Sequence, residues 1–407
     1  MKLLVLLSAL STAAFGNIPH LPLELSFEES KAIYASMDAG QRKGIKNTSI
    51  RTAIAGGERL SQWIDLINSQ RSETSAIRLT SKETQRGIPV ESPSKYGPST
   101  IEQKLNELIR DMPESMTNII YNQGDLTQTT PIEDAIFIEW GRKVSRLYQS
   151  AVRWETFKPW RSQMAQRRFR DIRGFYHLRK IQDLDQTLQA YTTLSTDEQN
   201  QLKSHLEMIC LNTTQNESSC AREFMSALSA SKLVEFKNRY WNRSKRIWNS
   251  FFDIVNPRRD VTWESPTLME VIFKDPKNSK IAHWLKDNVE DEFQIPELNW
   301  SLEMNFVERG FGLSHLEFQK NTTPHVSGGN KIVMDANTPL EEYNVRWTIR
   351  HEYGHILRLP DCYHEFYLPE ENLMMSYQLD ISDLMCSRVG AMNERIYNEL
   401  KSVYFKR

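Results

Sequence analysis

Apolar residues recur at three-and-four spacing from residue 101 to about 250, as in TIEQKLNELIRDM and DEQNQLKSHLEMICL. That period places them on one face of a helix, so residues 101–257 read as a mostly α-helical domain. No solenoid-length repeat accompanies it. The pattern changes near IVNPRRDVTWESP (254–266). Strand-like runs follow: TLMEVIF (267–273), LNWSLEMNFV (298–307), SHLEFQ (314–319) and NKIVMDAN (330–337). A helical stretch, SKIAHWLKDNVEDEF (279–293), separates the first two, and MNERIYNELKSVY (392–404) predicts a last helix. Residues 258–407 therefore form a second, α+β unit. Residues 17–100 mix Ser, Gly, Pro and charge without a clean period and remain poorly defined; RGIPVESPSKYGPST (86–100) reads as a linker or loop.

The chain opens on MKLLVLLSALSTAAFGN: a short positive region, an apolar run and small residues. This order predicts a signal peptide over 1–16, cleaved after Ala14 or Gly16, and an exported protein, secreted or periplasmic. No later apolar run is long enough to span a bilayer, so stable membrane insertion is not expected. Four cysteines, Cys210, Cys220, Cys362 and Cys386, are an even count that suits two disulfides in an exported chain. Three pairings are possible, and the local ones are favoured. Six Asn-x-Ser/Thr triplets, among them those at Asn47, Asn212 and Asn321, matter only in a eukaryotic secretory pathway.

A net charge of −1 over 407 residues gives no global electrostatic case for a nucleic-acid or membrane partner. Residues 142–180 concentrate Lys and Arg with Trp154, Trp160, Phe169 and Phe175 interleaved. Such a stretch can bind nucleic acid or an anionic surface; a helical bundle with a basic solvated face is the preferred reading, and no nucleic-acid partner is expected.

The chemistry concentrates in HEYGHILRLPDCYHEFY (351–367). Upstream, NTPLEEYNVRWTIRHEYGHIL reads as a capped helix, with Thr338 as N-cap, Pro339 at the first helical position and Glu341 closing a capping box. His351 and His355 then fall on one face, a spacing at which two imidazoles bind one zinc ion. Glu352 lies beside them, placed to act as general base on a water activated by the metal. A catalytic site needs a third protein ligand, and Asp361, His364 and a later glutamate such as Glu394 are the candidates. Pro360 stops the helix, so the chain can turn Asp361 back towards the histidines.

HEYGHILRLPD resembles the metzincin metalloprotease motif, in the variants where aspartate takes the last ligand position. The resemblance covers roughly 265–407, including the order strand, helix, strand, strand, edge strand, active-site helix. It implies a metzincin-like catalytic domain, a twisted mixed sheet with an active-site helix and a C-terminal helix. It implies Zn2+ held by His351, His355 and Asp361, Glu352 as catalytic base, and endopeptidase action on a protein or peptide substrate. The family glycine, which turns the chain with positive φ, is Arg358 here. The family also has a methionine turn beneath the zinc. ENLMMSY offers Met374 or Met375, and SDLMCSRVG offers Met385, favoured because it precedes the last helix. A Cys362–Cys386 bridge would then tie the ligand loop to that turn, and such a bond typically contributes about 2–4 kcal/mol.

Tyr363, Tyr367 and Tyr377 are candidate oxyanion donors, set against ordinary loop packing. NKIVMDAN is either a strand that pairs with an extended peptide or an interior strand. The alternative functions are a gluzincin-like peptidase with Glu394 as third ligand, and an exported binding or scaffold protein whose zinc is non-catalytic. The helical region reads as a propeptide, a recognition domain or an inhibitory cover. Cys210 or Cys220 could then cap the zinc as a thiolate, although a disulfide between them is preferred.

Overall fold

The computed structural model describes residues 18–19, 21–79, 94–320 and 322–405. The signal peptide, most of the 86–100 linker and Asn321 lie outside the described residues. The chain is mixed α and β. Its helical part comprises α1 (Phe27–Ser36), α2 (Ala39–Lys43), α3 (Thr48–Asn68), the short strand β1 (Ser94–Tyr96), α4 (Pro98–Asp111), α5 (Glu114–Ile120), α6 (Asp134–Thr156), α7 (Arg161–Arg167), α8 (Arg173–Leu178), α9 (Leu184–Gln189), α10 (Thr196–Thr214), α11 (Glu217–Ser229) and α12 (Leu233–Asn249). The rest comprises β2 (Val261–Ser265), β3 (Leu268–Lys274), α13 (Ser279–Glu292), β4 (Gln294–Ile295), β5 (Trp300–Val307), β6 (His315–Gln319), β7 (His325–Ser327), β8 (Lys331–Asp335), α14 (Tyr343–Ile356), β9 (Tyr363–Leu368), β10 (Leu373–Gln378) and α15 (Glu394–Tyr404).

The stretch 17–100, undefined in the sequence, holds three helices. Polar caps start them: Ser26 with Glu29 and Asp38 with Gln41 make capping boxes, and Asn47 Oδ1 accepts from Ile50 N. These helices share one core with α4–α6, built on Leu60, Trp63, Phe137 and Tyr148. Helices α8–α12 pack around a second core on Leu206, Phe224 and Phe236. The span 101–257 is thus divided between two cores. Residues from Ile247 onward contribute to a third, which belongs to the α+β part.

In that part β3 runs parallel to β5, β6 runs parallel to β8, and β7 is antiparallel to β8. The sheets run β2-β3-β5-β4 and β6-β8-β7, and a single parallel bridge, Phe273↔Ser314, joins them at the end of β3. The run at 330–337 is therefore interior: both sides of β8 are taken and β7 is the edge. A separate antiparallel sheet, β1-β10-β9, mixes the two parts of the chain, since β1 comes from the helical part.

The helix predicted to start at Pro339 starts four residues later, at Tyr343, after Glu342, which makes no side-chain cap. Tertiary contacts override the local signal. Ala336 N bonds Gln319 O and extends the sheet, Trp284 Nε1 takes Leu340 O, and Glu341 pairs with Lys280. In the basic stretch 142–180 Arg146, Lys158, Arg170, Arg179 and Lys180 are exposed, while its aromatic residues and Arg153 turn inward. Arg153, Trp154, Phe169 and Phe175 are buried, and Arg161 stacks on Trp154 at 3.7 Å. Asn212 is also buried, its amide donating to Phe169 O and Asp171 O, so that triplet cannot carry a glycan in the folded chain.

Candidate metal centre

Helix α14 carries His351 and His355 one turn apart, their rings 4.8 Å apart and perpendicular. His351 Nδ1 lies 2.7 Å from Leu384 O, and His355 Nδ1 lies 2.9 Å from Leu359 O. A carbonyl only accepts, so each Nδ1 carries a proton and each Nε2 is the atom left to face a ligand. Both Nε2 atoms face Asp361 Oδ1, at 3.1 and 3.2 Å. The three ligand atoms all lie within 4.8 Å of one another. Two imidazole nitrogens and a carboxylate oxygen converging on one point form a donor set that suits a zinc ion, which would displace the imidazole protons now shared with Asp361. Burial opposes protonation of His355, but the Asp361 carboxylate prevails and lifts its pKa to about 9.

Arg358 brings Asp361 into place. It stands at φ +69, the conformation expected of the glycine it replaces. Arg358 N bonds His355 O and Leu359 N bonds Gly354 O, a complete Schellman closure of α14. A non-glycine residue in this conformation costs about 1–2 kcal/mol. Its guanidinium lies across the β7–β8 turn, where a Cβ on Gly329 would overlap it. The same closure turns Leu359 O towards His355.

Beneath α14 runs a turn over 383–386. Asp383 is buried and organises it: Oδ1 accepts from Met385 N at 2.9 Å, while Oδ2 accepts from Arg395 at 2.6 Å and Asn393 at 3.0 Å. Leu384 offers its carbonyl to His351, and Met385 Sδ fills the space that a Cβ on Gly354 would occupy. Cys362 N bonds Met385 O, and Cys362 and Cys386 form a disulfide with Cα atoms 4.4 Å apart. Cys362, Asp383 and Cys386 also cluster closely, but both thiols are consumed in that bond. Met374 and Met375 lie instead in β10, in two different cores. Asp383 and the two carbonyls escaped the sequence reading. The available signals were an aspartate two residues before Met385, which suits an Asx turn, and a glycine inside a helix, which marks a close approach.

Glu352 is 3 % exposed and neighbours the ligands on α14. Tyr363 opens β9 two residues after Asp361; burial first, then the charges of Asp361 and Glu352, push its pKa well above the ordinary value. The other candidates are elsewhere. His364 is buried rather than exposed in a loop; its Nε2 lies 2.9 Å from Arg167 O and its ring meets Phe251 edge-on. Tyr377 donates to Asp171 at 2.9 Å, and Tyr367 donates to Asn372. Glu394 stands exposed in the first turn of α15 and is not in the ligand group. Cys210 and Cys220 are bonded to each other. A cleft of about 750 Å³ lies between residues 23–25 and helices α4 and α6, and His351, His355 and Asp361 do not line it. Among the described residues no helix is long and apolar enough to cross a membrane. The two disulfides are compatible with an extracellular protein. No family model, no curated protein and no solved structure matches the chain.

Proposed function

We propose that this chain is an exported zinc-dependent endopeptidase of metzincin type, hydrolysing peptide bonds in protein or peptide substrates. One observation carries the reading: His351, His355 and Asp361 present their ligand atoms to one point beside Glu352. Zinc at that point would supply Lewis acidity for a substrate carbonyl and lower the pKa of a water molecule. His351, His355 and Asp361 would hold the ion, with both imidazoles oriented by backbone carbonyls. Glu352 takes the proton from the attacking water and delivers it to the departing amine. Tyr363, two residues after Asp361, is the candidate oxyanion donor, and its raised pKa keeps its hydroxyl protonated. The order β3, α13, β5, β6, α14 follows the sequence reading, whereas interior β8 rather than an edge strand precedes α14, and antiparallel β7, unforeseen in the sequence, is the edge. That edge leaves room for an extended substrate to add as a further strand.

The test is zinc content and casein hydrolysis for wild type and Glu352→Gln side by side. The variant should keep its zinc and lose about 10²–10⁴-fold in rate. A variant with full activity would remove Glu352 from the mechanism. Zinc in the wild type without hydrolysis of any protein or peptide would favour a structural metal on an exported scaffold.

A further inference from the structure

Residues 21–29 come from the far end of the chain, yet they bond the segment after Met385 directly and reach the strand after Asp361 through Arg153. At one end Arg153, 7 % exposed, receives the strap: its guanidinium donates to Pro22 O at 2.6 Å and Leu21 O at 2.9 Å. The same guanidinium grips Glu365 through Nε at 2.6 Å and Nη2 at 2.7 Å. Glu365 lies on β9, four residues beyond Asp361. At the other end Glu24 accepts from Arg388 N and from Ser387 Oγ, each at 2.7 Å. Glu29 accepts from Arg388 Nη1 at 2.8 and 3.0 Å, and this pair is buried, at 9 % and 5 % exposure. Arg388 follows Met385 by three residues. The ligand loop and the turn beneath the helix are thus fastened twice, covalently through Cys362–Cys386 and non-covalently through the strap.

We propose that Glu24 and Glu29 are positioning residues for the metal centre, and that the N-terminal strap is a permanent brace of the site rather than a removable cover. The argument rests on the metal reading above. The turn has little regular ladder of its own, so its shape depends on what holds its ends. Leu384 O orients His351 and Met385 supports α14 at Gly354, while Glu24 fixes the backbone just beyond. Releasing Ser387 and Arg388 frees that turn to shift. A shift of the carbonyl misdirects the imidazole lone pair, which is how outer partners of metal ligands act on affinity. A removable cover would instead touch the open face of the metal and leave the turn intact when lost.

The test compares the wild type, Glu29→Gln and Glu24→Gln/Glu29→Gln in the full chain. Zinc affinity is measured by chelator competition well below the melting temperature, with the visible spectrum of the cobalt-substituted protein as a second reading. Amide hydrogen exchange of the zinc-free proteins is followed over 384–388. The expected result is zinc binding weakened about 10–100-fold, an altered cobalt spectrum and faster exchange over 384–388, with α10–α12 unchanged. Wild-type affinity, spectrum and exchange in the variants, even with a lowered melting temperature, would overturn the proposal. If the double variant does not fold, Glu29→Gln decides alone. A wild type that binds no zinc would sink the metal reading, and exchange over 384–388 would still decide the brace.

Discussion

The two disulfides of this chain make the same bond in different surroundings. Cys210–Cys220 closes 10 residues between α10 and α11. Both cysteines sit in helices, and the turn between them is already organised by Gln215 in the left-handed conformation and by Asn216 as an N-cap. Cys362–Cys386 closes 24 residues and joins two irregular segments, one following Asp361 and one following Met385. The first bond repeats what helix packing already secures. The second holds groups that no helix or strand ladder holds, and those groups orient the ligands. A crosslink therefore matters to function according to what else constrains its ends.

Removing each bond should show this. The chain-entropy relation makes the long-loop bond worth about 3.5 kcal/mol and the short one about 3 kcal/mol, so stability alone barely separates them. Zinc affinity should. Cys362→Ala/Cys386→Ala should lower both the urea midpoint and zinc affinity, whereas Cys210→Ala/Cys220→Ala should lower only the midpoint. Equal loss of zinc in both variants would break the comparison.

Acid should act on both parts through histidines that stay neutral. Burial holds His364, on β9, down to about 4, with Asp171 opposing only in part. Burial, together with the charge of His177, holds His205, on α10, down to about 4. The unfolded chain takes up these protons near 6.5, so it binds more protons than the native state between about 6.5 and 4. Stability is therefore present above that window and falls as pH drops through it. For buried His364 the loss is on the order of 3 kcal/mol; for the partly exposed His205 it is smaller. Urea midpoints at pH 7 and 4.5 for wild type and His364→Asn should show a shallower acid loss in the variant. Parallel loss in both would remove His364 from the account.

The smallest expected effect concerns the turn that delivers Asp361. Arg358→Ala and Arg358→Gly both remove the guanidinium from the β7–β8 turn, but only glycine takes positive φ without strain. The glycine variant should be the more stable of the two by about 1 kcal/mol in urea unfolding, with zinc retained in both. Equal stabilities would mean the turn relaxes to another shape.

Much of the α+β part was legible because its signals are local. The runs at 267–273, 298–307, 314–319 and 330–337 became β3, β5, β6 and β8, and 279–293 and 392–404 became α13 and α15. The stretch 17–100 was not legible: its helices start from caps but bury their apolar faces mainly against α4–α6, as Phe27 does against Tyr148 far along the chain. The start of α14 was misread for the complementary reason. Thr338, Pro339 and Glu341 form a good local cap, but the sheet and Trp284 claim the backbone there.

At the site, the sequence alone determined that His351, Glu352 and His355 share one helical turn, because 3.6-residue periodicity admits no other arrangement once the segment is helical. It also narrowed the third ligand to a few residues beyond Pro360. Tertiary structure chose among them. It sent His364 and Tyr377 into the packing against the helical part, left Glu394 exposed, and turned Asp361 to the histidines through a left-handed Arg358. It also recruited Glu24, Glu29, Arg153 and Glu365 around the candidate metal centre, a grouping that no spacing encodes. Buried charges must find partners, and which partners are within reach depends on how separate cores pack together.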